Sequence, residues 1–178
     1  MNSLGRKVFF WQLAGFAAVT LVGSLLHFLY EWTGESSFVG AFSAVNESTW
    51  EHMKLLFFPM LLFALIEGIF FREVPCFFQI KFQGTLLGLV LIPVLFYTYN
   101  GVFGTSPAWV NISVFFLAAL VAFVFEGRRL VRAEGRPCSV VLPLLGFALL
   151  AGAFVLFTYR PPMLPLFRDP LTGGYGIG

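Results

Sequence analysis

The chain has 178 residues, of which 58% are apolar and only 11% are charged, and its mean hydropathy is +0.86. A soluble domain carries roughly 25% charged residues, so this composition excludes a water-soluble globular protein. The net charge of +2 is too small, and the basic residues are too scattered along the chain, for a nucleic-acid-binding protein.

Five long apolar segments follow one another along the chain. An apolar run of about 20 residues spans the hydrocarbon core as a helix, and none of these runs alternates as a barrel strand does. We therefore predict an all-α bundle of five transmembrane helices in a single domain, 1–178. The predicted spans are about 8–30, 55–71, 85–99, 109–125 and 140–159. The first span lacks an Ala-x-Ala cleavage site and is expected to be retained.

Basic residues are unevenly divided between the two ends of these spans. Eight lie at one set of ends: Arg6, Lys7, Arg72, Lys81, Arg128, Arg129, Arg132 and Arg136. Three lie at the other set: Lys54, Arg160 and Arg168. Because positively charged loops stay in the cytoplasm, the count predicts a cytoplasmic N-terminus, and five spans then put the C-terminus outside. We expect a multi-pass protein of the cytoplasmic (inner) membrane.

The two cysteines, Cys76 and Cys138, both fall on the side predicted to be cytoplasmic. A disulfide is rare in that reducing compartment, so we expect both thiols to be unpaired. The residues are also far apart in sequence and form no CxxC metal motif. Their expected role is that of small apolar or loop residues.

The first outer loop, 31–54, separates two groups of ionisable residues. His27 and Glu31 are four residues apart on the last turn of the first span and share a helix face. Ser48 and Glu51 match the capping box that begins a helix, which places His52 in the first turn of the second span. Sequential helices joined by a short loop usually pack together, so the two groups are expected to converge at one membrane depth.

This convergence predicts a site for a divalent metal, since imidazole and carboxylate groups together suit Zn, Fe or Mn. The expected ligands are His27, Glu31, Glu51 and His52. Glu47 is a further ligand or a general base, and Ser48 either orients a substrate or only caps the helix. Two alternatives remain open: ordinary solvated charges at a membrane surface, and a haem held by both histidines.

Two other acidic residues are candidates for function. Glu67 lies in the second span, fifteen residues beyond His52 and about 22 Å along a helix. It is expected to snorkel or to pair with Arg72, and the alternative is a proton or ion path. Asp169 lies in a proline-rich tail, 160–178, which is expected to run extended across the outer face with a turn at 172–174. Asp169 is a candidate ligand or part of a lid.

Two stretches carry a resemblance to a known family: VNESTWEHMK at 45–54 and PLFRDPLTGGYGI at 165–177. They resemble the hallmark segments of a family of small bacterial multi-pass membrane proteins, catalogued as a domain of unknown function. The resemblance covers nearly the whole chain and implies a prokaryotic cytoplasmic membrane, but it implies no activity. A looser similarity to seven-span metal-dependent lipid amidases is only an analogy, because this chain has two spans and at least one histidine fewer.

The sequence therefore favours a metal-dependent membrane hydrolase with an outward-facing His/Glu site, acting on a lipid or another amphiphile. One alternative is a small transporter or channel with Glu67 on its path. Another is an accessory subunit whose Phe-rich surface binds other membrane proteins. A homo-oligomer or a larger membrane complex is compatible with each of these functions.

Overall fold

A computed structural model describes residues 3–105, 107–133, 135 and 138–177. Five of its helices are long and apolar enough to cross a membrane, which confirms the all-α, multi-pass fold. These five are α1 (Ser3–Trp32), α3 (Thr49–Phe70), α4 (Phe77–Phe103), α5 (Ala108–Val131) and α6 (Val141–Tyr159). A short helix, α2 (Ser37–Gly40), lies in the loop after α1.

Several helices are longer than the predicted spans. The prediction ended these spans at charged residues, but the charged residues lie inside the helices. We expected the third span to begin near residue 85 and Lys81 to count as a cytoplasmic charge, but α4 begins at Phe77 and Lys81 is buried. We also expected the fourth span to end near residue 125, but α5 continues to Val131 and Glu126 is fully buried. Hydropathy ends a span at such charges, whereas here the two side chains form an ion pair inside the bundle.

Four helices form a closed ring, in which α1, α3, α4 and α5 each pack against the next, and α6 packs outside against α4 and α3. Two glycines on α4 allow neighbouring helices to approach closely. A Cβ on Gly84 would overlap the side chain of Glu126, and one on Gly88 would lie 2.9 Å from Leu56 Cδ2. The ring encloses an apolar cluster that includes Leu56, Met60, Ile92, Ala118 and Ala122.

The bundle has two faces, which we name by the course of the chain. The N-terminal face holds the start of α1, the end of α3 and the start of α4, and the C-terminal face holds their opposite ends. Lys81 and Lys54 are both buried, so the predicted counts of eight and three fall to seven and two. Arg136 lies outside the described residues. The orientation of the two faces in the membrane stays a prediction.

The expectation of unpaired cysteines was wrong. Cys76 and Cys138 form a disulfide, with their Cα atoms 5.2 Å apart. The loop before α4 and the loop before α6 lie side by side at the N-terminal face, because α4 and α6 are packing neighbours. Sequence separation hides this proximity. The disulfide favours an oxidising compartment for this face, whereas the excess of basic residues favours the cytoplasm.

Alkylation of intact cells distinguishes these two environments. If the N-terminal face is cytoplasmic, we expect a membrane-permeant maleimide added before lysis to modify both Cys76 and Cys138, because the reducing cytoplasm keeps thiols free. The mass of the purified chain measures the number of labels. A chain that accepts label only after treatment with a reductant would reverse the predicted orientation. A Cys76→Ser variant, left with one thiol, controls for access of the reagent.

The tail is folded rather than simply extended. A short 3-10 turn covers Pro165–Phe167, and Arg168 and Tyr175 form an isolated antiparallel bridge. Phe167 is buried, with its ring 4.8 Å from the ring of Trp50. Leu171, by contrast, is 79% exposed.

Candidate metal centre

Three side chains that can bind a metal meet at the C-terminal face. His27 lies near the end of α1, His52 lies in the first turn of α3, and Glu47 lies in the loop just before α3. Glu47 Oε1 is 3.6 Å from His27 Nε2, and Glu47 Oε2 is 3.4 Å from His52 Nε2. One ligand atom from each residue lies within 4.8 Å of the other two. Of the residues singled out in the sequence, the structure brings these three together.

The imidazole of His52 is oriented by the backbone. Its Nδ1 lies 2.9 Å from the carbonyl oxygen of Ser48. A carbonyl oxygen only accepts hydrogen bonds, so Nδ1 carries the ring proton and Nε2 keeps a free lone pair. Nε2 is also the atom nearest to Glu47. A backbone carbonyl that fixes the tautomer in this way is a common support for a metal-binding histidine.

The loop that carries Glu47 is held at both ends. Asn46 Oδ1 accepts a hydrogen bond from Ser48 N at 2.9 Å, and Asn46 Nδ2 donates to Gly176 O in the tail at 3.1 Å. Ser48 is the N-cap of α3, and its hydroxyl accepts from Glu51 N at 3.4 Å. The Ser48 hydroxyl is buried and occupied by the cap, so it is not presented to a substrate.

Glu51 and Glu31, which we expected to be ligands, are not part of the group. Glu51 is buried, and its carboxylate pairs with Lys54 Nζ at 2.5 Å. The Glu51 carboxylate also accepts a hydrogen bond from Val45 N at 3.0 Å. The capping box predicts instead that it accepts one from the N–H of Ser48. Glu31 is exposed on the last turn of α1. Four-residue spacing puts Glu31 on the same face as His27, but the loop turns toward Glu47 instead.

Asp169 organises the tail and does not join the group. Its carboxylate accepts hydrogen bonds from Leu171 N at 2.8 Å and from Thr172 Oγ1 at 2.9 Å. These bonds shape the turn that begins at Pro170. Pro170 and Leu171 in turn line a cavity that also contains Glu47 and His52. Asp169 therefore holds one wall of that cavity in place.

Two cavities are lined by Glu47 and His52 together. One of about 460 Å³ lies toward α4 and the tail, and one of about 490 Å³ lies toward α1 and is bordered by His27, Phe28 and Phe116. Phe28 and Phe116 are also 48% and 39% exposed on the outside of the bundle, so the second cavity lies next to the region occupied by lipid. Trp32 and Trp109, 65% and 67% exposed at this face, are placed as interfacial anchors.

Asn111 is a polar residue of the site that the sequence reasoning missed. It lies in the first turns of α5 and lines both cavities. Its Oδ1 is buried and has no hydrogen-bond partner among the described residues. A buried amide without a partner is unusual and requires an explanation such as a bound ligand. A signal was present, because an asparagine inside an apolar span is itself a pointer to function.

A haem held by both histidines does not fit this geometry. The rings of His27 and His52 meet edge to face, with their centroids 5.2 Å apart. Axial ligands must lie on opposite sides of a porphyrin, and two imidazoles in contact leave no space for that plane. Of the two cofactors considered from the sequence, the arrangement suits a single metal ion.

A second polar centre lies near the N-terminal face. Lys81 Nζ is 2.9 Å from Glu67 Oε2 and also contacts Glu126 Oε2, and all three side chains are buried. Gln12 Nε2 donates to Glu67 Oε1 at 2.8 Å. Glu67 is therefore paired with Lys81 and not with Arg72, which donates from Nε to Ile69 O. We call Glu67, Lys81 and Glu126 the buried triad.

An apolar layer separates the two polar centres. Between them lie Leu56 and Met60 of α3, Ile92 of α4 and Ala118 of α5, each at most 4% exposed. A transporter with Glu67 on its path would need polar side chains through this layer. In the part of the chain that the structure describes, the layer is filled by packed apolar side chains.

Comparison with known proteins identifies a family but no activity. The profile of a family described as "Family of unknown function (DUF6512)" matches residues 3–177. This agrees with the resemblance drawn from the sequence. No curated protein and no solved structure matches the chain. The matched segment includes the histidines of the C-terminal face, the buried triad and the folded tail.

Proposed function

This chain belongs to that family of unknown function (DUF6512), and we propose that it is a membrane-embedded hydrolase that uses one divalent cation. The cation is held by His27, Glu47 and His52 at the C-terminal face. The observation that carries this proposal is the convergence of three ligand atoms within 4.8 Å of one another, from two helices and a loop. We place the protein in the cytoplasmic membrane with this face outward.

The donor set and its spacing support a metal such as Zn, Fe or Mn. Two imidazoles and one carboxylate are ligands that these metals share. In a tetrahedral zinc site, bonds of about 2.0–2.1 Å put neighbouring ligand atoms about 3.3 Å apart. Glu47 Oε1 is 3.6 Å from His27 Nε2 and Glu47 Oε2 is 3.4 Å from His52 Nε2, and one ligand atom from each residue lies within 4.8 Å of the other two, so small side-chain movements would bring the three to that spacing. Three protein ligands also leave a coordination position for water, as in catalytic rather than structural zinc sites.

The surroundings of the three ligands support hydrolysis of an amphiphile. A divalent cation lowers the pKa of a bound water toward neutrality and so supplies a nucleophile. In the reaction, the water oxygen bonds to an acyl or phosphoryl centre, the bond to the leaving group breaks, and the proton of the water goes to the leaving group. The Asn111 amide is placed to orient the reacting group, and the cavity bordered by Phe28 and Phe116 accommodates an apolar chain.

Metal content is the direct test of the cation site. Protein purified without a polyhistidine tag should bind about one Zn, Fe or Mn per chain at pH 8. His52→Ala, His27→Ala and Glu47→Gln should each weaken binding by at least about 10–100-fold, the cost of losing a ligand's supporting partner, because two ligands remain in place of three. Binding should also weaken as the solution is made acidic, since protonated imidazole cannot bind a metal. Equilibrium dialysis followed by elemental analysis measures both effects.

Glu31→Gln is the matched control, because Glu31 is an exposed carboxylate on the same helix as His27 but outside the group. It should bind metal as the wild type does. Absence of stoichiometric metal at pH 8 would refute the cation site. The hydrolytic half is tested separately, by incubating the metal-loaded protein with ester and amide lipids in micelles. A protein that binds metal and cleaves none of these lipids would contradict the enzymatic assignment alone.

A further inference from the structure

The buried triad points to a second ligand site, at the end of the bundle opposite the metal centre. We propose that Glu67, Lys81 and Glu126 hold one additional proton inside the membrane-embedded core, carried by one or the other of the two carboxyl groups. The triad then binds one exchangeable proton per chain. This inference is independent of the metal centre, because the apolar layer around Leu56 and Met60 separates the two sites.

The geometry gives one ammonium group to two carboxylates. Lys81 Nζ lies 2.9 Å from Glu67 Oε2 and contacts Glu126 Oε2, and the three side chains are at most 1% exposed. Gln12 of α1 donates to Glu67, and the rings of Phe63 and Phe123 lie 5.5 and 5.2 Å from Lys81 Nζ.

Charge balance then requires one more positive charge. With all three groups ionised, the triad would carry a net charge of −1 in an environment that solvates charge poorly. Among the described residues, Lys81 is the basic side chain that forms ion pairs with Glu67 and Glu126, while Arg128 and Arg132 line the groove that Gln12 also borders. Lys7 Nζ donates to Phe70 O and Arg72 Nε donates to Ile69 O. An uncompensated buried charge is strongly unfavourable, so the triad takes up a cation from outside the chain.

Two unpartnered oxygen atoms show where that charge is missing. Glu126 Oε1 and Gln12 Oε1 are buried and have no hydrogen-bond partner among the described residues. Glu126 is fully buried, and Gln12 is only 7% exposed. Both oxygens are acceptors, and a protonated carboxyl group would add the donor that this cluster lacks.

The available space favours a proton over a metal cation. Gly84 of α4 lies so close to Glu126 that an added Cβ would overlap the carboxyl group. Lys81 already occupies the position between the two carboxylates. A sodium or divalent ion would need several oxygen ligands around an open volume, whereas a proton needs none. Gln12 lines a groove of about 450 Å³ between α1 and α5 that Arg128 and Arg132 also border.

Infrared spectroscopy tests the proposal directly, since a protonated carboxyl group has a C=O stretching band distinct from that of a carboxylate. In an ester-free detergent at pH 7, the wild type should show such a band, and 13C labelling of glutamate should shift it. Glu126→Gln should lower the intensity of this band by the amount that one protonated carboxyl group contributes. Glu67→Gln should remove the same intensity, because either substitution leaves one carboxylate paired with Lys81. The double variant should lose no more than each single variant.

Glu31→Gln is the spectroscopic control and should leave the band unchanged. The proposal is overturned if the labelled wild type shows no protonated glutamate at pH 7, a result that requires no variant to fold. It is also overturned if Glu126→Gln removes the band while Glu67→Gln retains it, since the proton would then not depend on charge balance. Loss of the band on addition of sodium at constant pH would identify a metal cation as the ligand instead.

Discussion

Replacing Lys81 with methionine is expected to lower the free energy of unfolding by about 3–5 kcal/mol, the typical result of removing one partner from a buried ion pair. Methionine fills much of the same volume, so little of the loss would come from packing. The reason is electrostatic: Glu67 and Glu126 would both stay in the core without the ammonium group that they share. Thermal or denaturant unfolding in micelles measures the difference.

Two further variants separate this effect from ordinary loss of a lysine. Lys7→Met removes an exposed ammonium that donates to Phe70 O and lies 4.5 Å from the centre of the Phe71 ring, so it should change stability by less than about 1 kcal/mol. Glu126→Gln leaves a balanced Glu67–Lys81 pair and should be far milder than Lys81→Met. The double variant, Lys81→Met with Glu126→Gln, should recover part of the loss, because residues in one network are not additive. Equal losses in Lys7→Met and Lys81→Met would contradict a role for the triad in stability.

The membrane fold could be predicted from the sequence because it depends on a simple property, long apolar runs, which suffices to locate all five helices. The helix ends could not be predicted as well. Lys81 and Glu126 lie 45 residues apart in sequence, and nothing local indicates that they pair. Hydropathy therefore ends a span at each charge, although the folded chain buries both.

The sequence predicted only part of the candidate site, and the reason is similar. The proximity of His27 and His52 follows from chain order, because consecutive helices joined by a short loop pack as neighbours. Which carboxylate would join them depended on the path of the loop, which Asn46 ties to the distant Gly176, and on the pairing of Glu51 with Lys54 three residues away. Glu51 forms an ion pair with Lys54 and so does not join the group. Asn46 anchors the loop, so that the Glu47 carboxylate lies between the two imidazoles.

Long-range contacts of this kind explain the other differences as well. Asn111 reaches the site from α5, and its contribution is visible only once α5 is packed beside α1. Cys76 and Cys138 meet because two loops end at the same face, and the predicted compartment gave the opposite expectation. Local patterns therefore predict that the five helices exist and roughly where they lie, and tertiary packing determines which polar groups share a site.

Replacing Lys54 with methionine should have the second large effect, because this residue joins three parts of the C-terminal face. Its ammonium group donates to Gly40 O in the first loop at 2.8 Å and to Thr158 Oγ1 of α6 at 2.7 Å, and it pairs with Glu51. All three hydrogens are used, and the side chain is fully buried. Its loss leaves the Glu51 carboxylate uncompensated, so we expect stability to fall by about 3–5 kcal/mol.

The same substitution should weaken metal binding, although Lys54 contacts none of the three ligands. The Glu51 carboxylate that it neutralises accepts from Val45 N, two residues before Glu47. Removing the support of a ligand typically weakens metal binding by about 10–100-fold. Lys54 would therefore be a positioning residue, and faster proteolysis of the loop at 33–47 would be its structural signature.

A paired substitution, Lys54→Met with Glu51→Gln, separates the two consequences. It removes the uncompensated charge and should restore much of the stability, but Gly40 O still lacks its donor and the loop stays loosened. Metal affinity should therefore stay low while the melting temperature recovers. Wild-type affinity in Lys54→Met at a temperature where it remains folded would mean that Asn46 alone holds Glu47 in place, through its bonds to Ser48 and to the tail.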